Sequence, residues 1–318
     1  MDLTEEALLE AIRRVLSGAG PEVRVGVGDD AAVLAPTAGE LVITTDALVE
    51  GVHFVRGLVG ARDLGHKAIV VNVSDIAAMG ASPRAAVCAL TLPSDAEAAW
   101  VIELFGGMRE ACDEYALWLV GGDLSRGRDV SIAVTVTGEV APGKAVLRSG
   151  ARPGDRVVVT GELGGSAAGL RLTRLHAKPS ADQLALVRRH LRPIARVGEG
   201  GVLARHGVTA MMDVSDGLTI DLSRLARASG VGAEVVLDDV RVAAGATIDD
   251  ALGGGEDYEL LATIPDVVAA DAARTELKEA FGVALTEIGR IVEGEGLTAI
   301  GSDGAKSPLE ATGWDHFR

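Results

Sequence analysis

The sequence predicts a mixed α+β protein of two domains, and three observations support this prediction. Strand-like and helical patterns occur in both halves of the chain. The length of 318 residues suits two domains at the usual size of about 100–200 residues each. A segment dense in glycine, proline and charge, Arg148–Asp155, is typical of a linker. We therefore place the boundary near residues 140–153 and expect domains at residues 1–145 and 146–318.

The first half of the chain is predicted to contain three helices and four strands. The predicted helices are Glu5–Leu16 with Thr4 as its cap, Ala61–Met79, and a segment that begins at a capping box of Ser94 and Glu97 and ends near Tyr115. The predicted strands are Val23–Val27, Leu41–Thr45, Ala85–Leu92 and Val130–Val140. An aspartate follows each of the first two strands within two residues, so carboxylates are expected at the ends of strands.

The second half is predicted to contain five strands and four helices. The predicted strands are Arg156–Thr160, Val208–Val214, Ala233–Leu237, Tyr258–Ile264 and Ala284–Ile291. The predicted helices are one from a glycine-rich turn to about Leu175, one capped by Ser180 and Gln183, Leu218–Ser229, and Asp266–Phe281. The glycine-rich turn T-G-E-L-G-G-S between a strand and a helix suits an anion, although the sequence contains no Walker A motif.

Composition restricts the class of protein. The net charge of −16 argues against a nucleic-acid partner, which needs a basic surface. Cys88 and Cys112 lie in apolar stretches, which is typical of buried, reduced thiols in a cytoplasmic protein. The sequence has no apolar run of about 18 residues, and its acidic N-terminus lacks the basic start of a signal peptide. We therefore expect a cytoplasmic protein that does not cross a membrane.

Aspartates bracketed by small residues recur along the chain. They occur in G-D-D, T-T-D, N-V-S-D, G-G-D and D-V-S-D-G segments, at predicted strand ends or on a predicted helix. Asp75 lies on the apolar face of its helix, where a carboxylate is costly unless it is paired or binds a metal. Each segment alone is also compatible with an ordinary acidic turn. Together they predict one cation site formed by Asp30, Asp46, Asp75, Asp123, Asp213 and Asp216.

The ligand chemistry of that site favours magnesium over zinc, because the set consists of hard oxygen donors without histidine or cysteine. Magnesium ions held by carboxylates commonly bind the phosphates of a nucleotide in phosphoryl-transfer enzymes. Arg148, beside the glycine-rich linker, is a candidate contact for phosphate oxygens. The residues alone therefore predict a magnesium-dependent nucleotide enzyme and do not identify its acceptor.

An ordered series of motifs resembles the thiamine-monophosphate kinases, which belong to the aminoimidazole-ribonucleotide-synthetase-like superfamily. The motifs are G-V-G-D-D-A-A-V, T-T-D-A-L-V-E-G-V-H-F, N-V-S-D-I-A-A-M-G-A, V-G-G-D, R-S-G-A-R-P-G-D, D-V-S-D-G-L, G-G-G-E-D-Y-E-L and G-W-D-H-F, and they span residues 26–317. The resemblance implies ATP-dependent phosphorylation of thiamine monophosphate to thiamine diphosphate in a homodimer. It also implies the two-domain fold of that superfamily, in which the N-terminal sheet pairs across the dimer.

The resemblance also implies roles for particular residues. Several Mg²⁺ ions would be held by Asp30, Thr45, Asp46, Asp75, Asp123, Asp213 and Asp216. ATP, the co-substrate, would contact Gly122, Asp123, Arg148, Ser215 and Phe105, the last of which replaces a tyrosine common in the family. Thiamine monophosphate would contact His53, Glu256 and Trp314.

Other functions of related proteins fit the sequence less well. A selenophosphate synthetase would need a reactive cysteine or selenocysteine near the N-terminus, and residues 1–50 contain no cysteine. The hydrogenase-maturation dehydratase would need a C-terminal cysteine, whereas this sequence ends in H-F-R. Aminoimidazole-ribonucleotide synthetase would lack the paired G-G-G-E-D-Y-E-L and G-W-D-H-F motifs. A non-catalytic nucleotide-binding regulator remains an alternative from a different functional class.

The predicted chemistry is direct in-line phosphoryl transfer without a covalent nucleophile, because the acceptor phosphate is already ionised near neutral pH. His53 would orient the acceptor, or it would be a turn histidine packed on Phe54. Trp314 would cover the cationic thiazolium ring, or it would anchor the C-terminal tail to its own domain.

Overall fold

The computed structural model describes residues 5–314, except for residues 17, 19, 28–30 and 176–179. The chain forms two compact units. The N-terminal unit comprises Met1–Ile76 and Ser82–Gly143, and the C-terminal unit comprises Ala77–Ala81 and Lys144–Arg318. Both units combine helices with sheets, so the predicted mixed α+β class is confirmed.

The N-terminal unit is built around a four-stranded sheet. Its elements are α1 (Glu5–Val15), β1 (Val23–Val25), β2 (Val33–Leu34), β3 (Glu40–Val49), α2 (Ala61–Ala78), β4 (Ser82–Leu92), α3 (Ala98–Glu114), β5 (Trp118–Arg126) and β6 (Ser131–Val140). The strand order is β3-β6-β4-β5, with β4 and β5 parallel and the other pairs antiparallel. Strands β1 and β2 form a separate antiparallel pair.

One face of the four-stranded sheet is buried and the other is exposed. Along β6, every second residue is buried, and Ile132, Val134 and Val136 are inaccessible to solvent. On the opposite face, the apolar side chains of Leu41 and Ile43 on β3 are 59% and 65% exposed. Such alternation is typical of an antiparallel sheet with one face on the core.

Helices α2 and α3 pack closely through glycine. A Cβ atom at Gly65 of α2 would lie 1.8 Å from the carbonyl oxygen of Leu104, and one at Gly107 of α3 would lie 1.8 Å from that of Arg62. Only residues without a side chain allow the two backbones to approach in this way. The close contact fixes α2, the helix that carries Asp75.

The C-terminal unit is built around a seven-stranded sheet of order β13-β12-β9-β11-β7-β10-β8. Its elements are β7 (Arg156–Thr160), α4 (Gly165–Arg174), α5 (Ala181–Leu191), α6 (Val197–Arg205), β8 (Ala210–Asp213), α7 (Leu218–Ser229), β9 (Gly232–Val236), a 3₁₀ turn (Leu237–Asp239), α8 (Ile248–Gly253), β10 (Leu260–Ile264), α9 (Val267–Phe281), β11 (Leu285–Val292), β12 (Leu297–Ile300) and β13 (Lys306–Pro308). Helix α7 packs on one face of the sheet, and α9 packs on the other.

The predicted helix bounds agree well with the structure in several places. Helix α7 has the predicted bounds, and the predicted capping box of Ser180 and Gln183 is present at the start of α5. The predicted capping box of Ser94 and Glu97 is wrong, because α3 begins only after Glu97, which makes no side-chain cap. Thr4 lies outside the described residues.

Other differences concern the strands and short elements. The predicted strand at Leu41–Thr45 is the longer β3, so Asp46 lies inside a strand rather than at its end. The G-G-D segment also lies inside a strand, β5, which continues to Arg126. Helices α6 and α8 and strands β2, β5, β12 and β13 were not predicted. No helix in the described ranges is both long enough and apolar enough to cross a membrane.

Candidate functional site

One candidate site, in the N-terminal unit, lies where β3 meets α2. Thr44 donates its hydroxyl hydrogen to a carboxylate oxygen of Asp75, with an oxygen–oxygen distance of 2.5 Å. Asp75 is half-buried, whereas its helix neighbours Ser74 and Ile76 are fully buried. The hydrogen bond offsets part of the cost of placing a carboxylate among buried neighbours.

Asp46 lies two residues beyond Thr44 on β3, so the two side chains share one face of the sheet. Thr45 lies between them and faces the other side. Its hydroxyl donates to the carbonyl oxygen of Val134 at 3.0 Å and accepts from Thr135 at 3.1 Å. Thr44 therefore contacts Asp75, whereas the hydroxyl of Thr45 bonds within the sheet, and the role of Thr45 as a metal ligand stays a prediction.

Asp123 lies at the opposite edge of the same sheet, on β5. It is in register with Ala89, and the preceding Gly122 is in register with Cys88. Cys88 shares its row across the sheet with Asp46, through β6. By strand alternation, Asp46 and Asp123 therefore lie on opposite faces of the sheet, as well as on opposite edges.

Gly122 has a packing role of its own. A Cβ atom there would lie 2.0 Å from the carbonyl oxygen of Cys88, so only glycine fits between β4 and β5. The neighbouring Asp123 is exposed and accepts a hydrogen bond of 2.6 Å from the hydroxyl of Ser125. Close strand packing thus explains why residue 122 is glycine. The predicted contact of Gly122 with a nucleotide stays a prediction.

His53 and Phe105 have structural roles in the N-terminal unit. The Nδ1 atom of His53 accepts a hydrogen bond of 3.0 Å from the backbone N–H of Val49. That contact holds the turn after β3 and requires Nδ1 to be unprotonated. Phe105 is buried within α3. Their predicted contacts with substrate and nucleotide stay predictions.

The C-terminal unit has a candidate site of its own, at the turn between β8 and α7, which holds the D-V-S-D-G segment. The backbone N–H groups of Ser215, Asp216 and Gly217 all donate to one carboxylate oxygen of Asp221, at 3.0–3.1 Å. Burial raises the pKa of the Asp221 carboxyl, although the hydrogen bonds from the turn oppose that rise. The converging N–H groups form an anion-binding turn that the chain fills with its own carboxylate.

Asp216 and Asp213 differ in their surroundings. Arg224 on α7 forms an ion pair with Asp216 and a second one, at 2.8 Å, with Asp221. The charge of Asp216 is therefore already balanced by a guanidinium. Asp213 ends β8, is 2% exposed, and lies in register with Leu260.

Two further segments pack against this turn through their backbones. The N–H of Glu256 donates to the carbonyl oxygen of Ser215 at 2.7 Å, and the N–H of Trp314 donates to that of Asp216 at 3.0 Å. The side chain of Trp314 is 48% exposed. The carboxylate of Glu256 lies 3.2 Å from Nδ1 of His190. Four predicted site residues therefore meet at this turn. Ser215 and Asp216 were predicted to contact ATP and metal, and Glu256 and Trp314 were predicted to contact the substrate.

The segment that carries Glu256 is strained and clamped. Glu256 and Tyr258 have φ angles of 65° and 54°, a region that non-glycine residues adopt at a cost of about 1–3 kcal/mol each. Between them, Asp257 accepts backbone hydrogen bonds from Gly164 at 2.5 Å and Ser166 at 3.1 Å, at the start of α4. The glycine-rich turn predicted to bind an anion therefore already holds a carboxylate of the chain.

Arg148 is not brought to the turn. Its carbonyl oxygen accepts a hydrogen bond of 3.4 Å from Ser229, at the C-terminal end of α7. The D-V-S-D-G turn lies at the other end of this 12-residue helix, about 18 Å away. The side chain of Arg148 is exposed.

Comparison with known proteins places this geometry in a family. The AIR synthase related protein N-terminal domain matches residues 28–140, and the corresponding C-terminal domain matches residues 152–302. Thiamine-monophosphate kinase of Aquifex aeolicus is 38% identical over 99% of both chains, and that of Escherichia coli K12 is 41% identical over 93% of both. The chain belongs to the thiamine-monophosphate kinase family.

Structures of thiamine-monophosphate kinases agree with the fold. The enzyme from Stenotrophomonas maltophilia has a TM-score of 0.84 at 38% identity, and the match covers 96% of this chain and 99% of that one. AaThiL complexed with AMPPCP and TMP has a TM-score of 0.78 at 38% identity, and the match covers 100% of this chain and 99% of that one. The two-domain fold that the motifs of this kinase family imply is confirmed.

The metal site expected for a thiamine-monophosphate kinase is not assembled within the described residues. In those ranges, no three His, Cys, Asp or Glu side chains are placed to hold one metal ion. Asp30 lies outside the described residues. The assignment of Asp30, Asp46, Asp75, Asp123, Asp213 and Asp216 to one site therefore stays a prediction.

Sequence reasoning missed three residues of the candidate site in the C-terminal unit: Asp221, Arg224 and Asp257. Asp221 and Arg224 are three apart on α7, a spacing that pairs opposite charges on a helix, so that signal was available. The role of Asp257 depends on a turn more than 90 residues earlier in the chain, and nothing local reveals it.

The clamp residue Asp257 predicts a pH dependence of stability. Burial raises the pKa of its carboxyl from 3.8 to about 7. Between these values the folded state keeps a proton that the unfolded state has lost, so the free energy of unfolding should fall as pH rises from 4 to 7. The fall is at most about 4 kcal/mol. Urea unfolding at pH 4.5 and 7.5 should show a smaller fall for Asp257→Asn than for the wild type.

The exposed Asp249 on α8 offers a matched control, since Asp249→Asn makes the same chemical change without burial. This control should keep the wild-type pH dependence. Equal pH dependence in all three proteins would show that Asp257 does not retain its proton in the folded state.

Proposed function

We propose that this chain transfers a phosphoryl group from ATP to thiamine monophosphate and so makes thiamine diphosphate. The observation that carries the proposal is the full-length match to AaThiL complexed with AMPPCP and TMP, an ATP analogue and the phosphate acceptor. The meeting of Ser215, Asp216, Glu256 and Trp314 in the C-terminal unit supports it, because predicted nucleotide and substrate residues are adjacent there.

The reaction we propose is a direct in-line transfer without a phosphorylated enzyme. The acceptor is a phosphate monoester that is ionised near neutral pH, so little general-base help is needed. Positioning of the two anions and neutralisation of their charge would then supply most of the rate. His53 accepts a backbone hydrogen bond through Nδ1, which suits an orienting role better than attack on phosphorus.

The described residues fit magnesium in part. Thr44, Asp46 and Asp75 offer hydroxyl and carboxylate oxygens, the donors that Mg²⁺ prefers. Asp216 fits less well, since Arg224 already balances its charge. We propose that Asp46, Asp75 and Asp123 in the N-terminal unit, and Asp213 in the C-terminal unit, are metal ligands, as expected of the family. Bound magnesium would neutralise the charge of the ATP phosphates.

A coupled assay tests the activity. Purified protein is mixed with ATP, Mg²⁺ and thiamine monophosphate, and thiamine diphosphate is measured by thiochrome fluorescence. Asp75→Asn should lower turnover by about a hundredfold or more, since a metal ligand is lost. Asp113→Asn is the matched control, because Asp113 is an exposed helical aspartate paired with Arg109. Full activity of Asp75→Asn at ordinary Mg²⁺ concentrations would contradict the metal assignment.

Trp314 is proposed to cover the thiazolium ring of thiamine monophosphate, with Glu256 as an acceptor or counter-charge. Trp314 is half-exposed while its backbone N–H binds the D-V-S-D-G turn, which disfavours a purely buried anchor. Trp314→Ala should raise the KM for thiamine monophosphate about two- to thirtyfold, since a cation–π contact is worth on the order of 0.5–2 kcal/mol. The KM for ATP and the melting temperature should change little.

Phe281, which is 45% exposed on the C-terminal unit, provides a matched aromatic control. Phe281→Ala should leave both KM values unchanged. A lower melting temperature of Trp314→Ala with an unchanged KM for thiamine monophosphate would instead assign Trp314 to anchoring the tail.

We also propose a homodimer that forms through the exposed face of the four-stranded sheet. In this proposal, residues 1–145 form an N-terminal domain that provides the dimer contact and binds ATP and metal. Residues 146–318 form the C-terminal domain. Leu41, Ile43 and Val87 expose apolar side chains on this sheet, which is unusual for a face that remains in water. A cytoplasmic location is part of the same proposal. It is supported by Cys88 and Cys112, which are buried and form no disulfide.

The dimer proposal predicts the effect of a charge on that face. Ile43→Asp should give a protein of one chain mass in light scattering, because a buried unpaired carboxylate would oppose association. Val268→Asp, at a 75% exposed position on α9, should keep the wild-type mass. A wild-type protein that is monomeric at micromolar concentration would contradict the proposed dimer.

A further inference from the structure

A cavity of about 700 Å³ lies in the C-terminal unit, between α9 and the strands β9 and β11. Its size is within the range of about 300–1,000 Å³ that small-molecule sites usually have. Its wall includes a β-bulge between Glu287 and Gly289, where β11 pairs irregularly with β7. Bulges are over-represented beside binding sites, because they redirect side chains.

Two of the carboxylates that line the cavity are already paired. Glu234 forms an ion pair with Lys306, and Glu287 forms one with Arg156. Neither carboxylate is therefore available to balance the other cations around the cavity.

Four cationic side chains line the cavity. One of them, that of Arg274, is balanced by Asp271 and also donates to the carbonyl oxygen of Leu285. The side chains of Lys278 and Arg290 make no hydrogen bond or ion pair to any described residue, and the side chain of Arg241 has only a 4.0 Å contact with Glu162 outside the cavity.

Against these three cations the cavity offers a single remaining carboxylate, that of Asp239. The chain as a whole has a net charge of −16, so a local excess of positive charge is not a general property of its surface. Like charges around one cavity repel each other, and an anion bound between them would relieve that repulsion.

The remaining lining suits the body of a small organic molecule. Val236, Leu285 and Ile300 place apolar side chains along the cavity. An arginine fork and a lysine point charge are the groups that bind phosphate oxygens best.

The cavity is separate from the D-V-S-D-G turn. It lies on the sheet face that packs against α9, whereas α7 and its turn pack against the other face. Strand β8, which leads into the turn, is three strands away from β11 in the sheet.

We propose that this cavity binds a phosphorylated small molecule, with Arg241, Lys278 and Arg290 on its phosphate or diphosphate group and the apolar wall against its body. This site is additional to the phosphoryl-transfer site and does not depend on the proposed reaction.

Isothermal titration calorimetry with inorganic pyrophosphate tests the proposal at low ionic strength, where surface charges are least screened. EDTA is included so that carboxylate-rich sites, which need metal to accept anions, do not bind the probe. Lys278→Gln/Arg290→Gln should weaken binding at least tenfold. Lys144→Gln/Arg227→Gln removes the same charge from exposed positions elsewhere in the unit and should bind like the wild type.

Hydrogen exchange of the wild-type protein locates the probe and does not depend on any variant folding. Pyrophosphate should protect amides in residues 274–290. A second titration with an alkyl diphosphate distinguishes the bare anion from an ester, because the apolar wall should tighten binding of the ester. Absence of pyrophosphate binding at millimolar concentration, protection elsewhere only, or equal weakening in both double variants would overturn the proposal.

Discussion

The carboxylate of Asp221 is the contact on which the described part of the C-terminal site depends. A turn between a strand and a helix leaves several backbone N–H groups without partners, and burying such groups unpaired costs about 1–3 kcal/mol each. Asp221 accepts three of them at once. Because the N–H groups of the turn point toward Asp221, the carbonyl oxygens of Ser215 and Asp216 are available to the segments that carry Glu256 and Trp314.

Paired carboxylates also stabilise the acidic segments of each unit taken by itself. Arg224 balances Asp216 and Asp221, Thr44 supports Asp75, and two backbone N–H groups support Asp257. Each carboxylate thus has a partner within its own unit. The charge that remains for a ligand or a metal is smaller than the number of aspartates in the sequence suggests.

Much of the fold followed from local patterns, because local patterns decide where helices begin and end. Helix α7 and the Ser180 cap were predicted correctly, since their apolar spacing and capping residues lie within a few positions. The Ser94 capping box failed because the same spacing also fits a loop. The contact of Thr44 with Asp75 was not predicted, and the sequence pointed to Thr45 instead, since adjacent strand residues differ only by the face they occupy. The roles of Gly122 and Asp257 depend on contacts between remote segments, which no local pattern contains.

The two kinds of contact at the D-V-S-D-G turn also imply an order of folding. The hydrogen bonds from Ser215 and Asp216 to Asp221 span only six and five residues, whereas the contact of Thr219 with Thr312, which brings the Trp314 segment to α7, spans 93. The entropic cost of closing a loop grows with its length, and contacts between distant residues form more slowly. We therefore expect the turn to form early as part of α7, with the Trp314 segment docking in a later step. The rate at which a refolding chain completes the contacts around this turn would then be set by docking of this last segment rather than by formation of the turn.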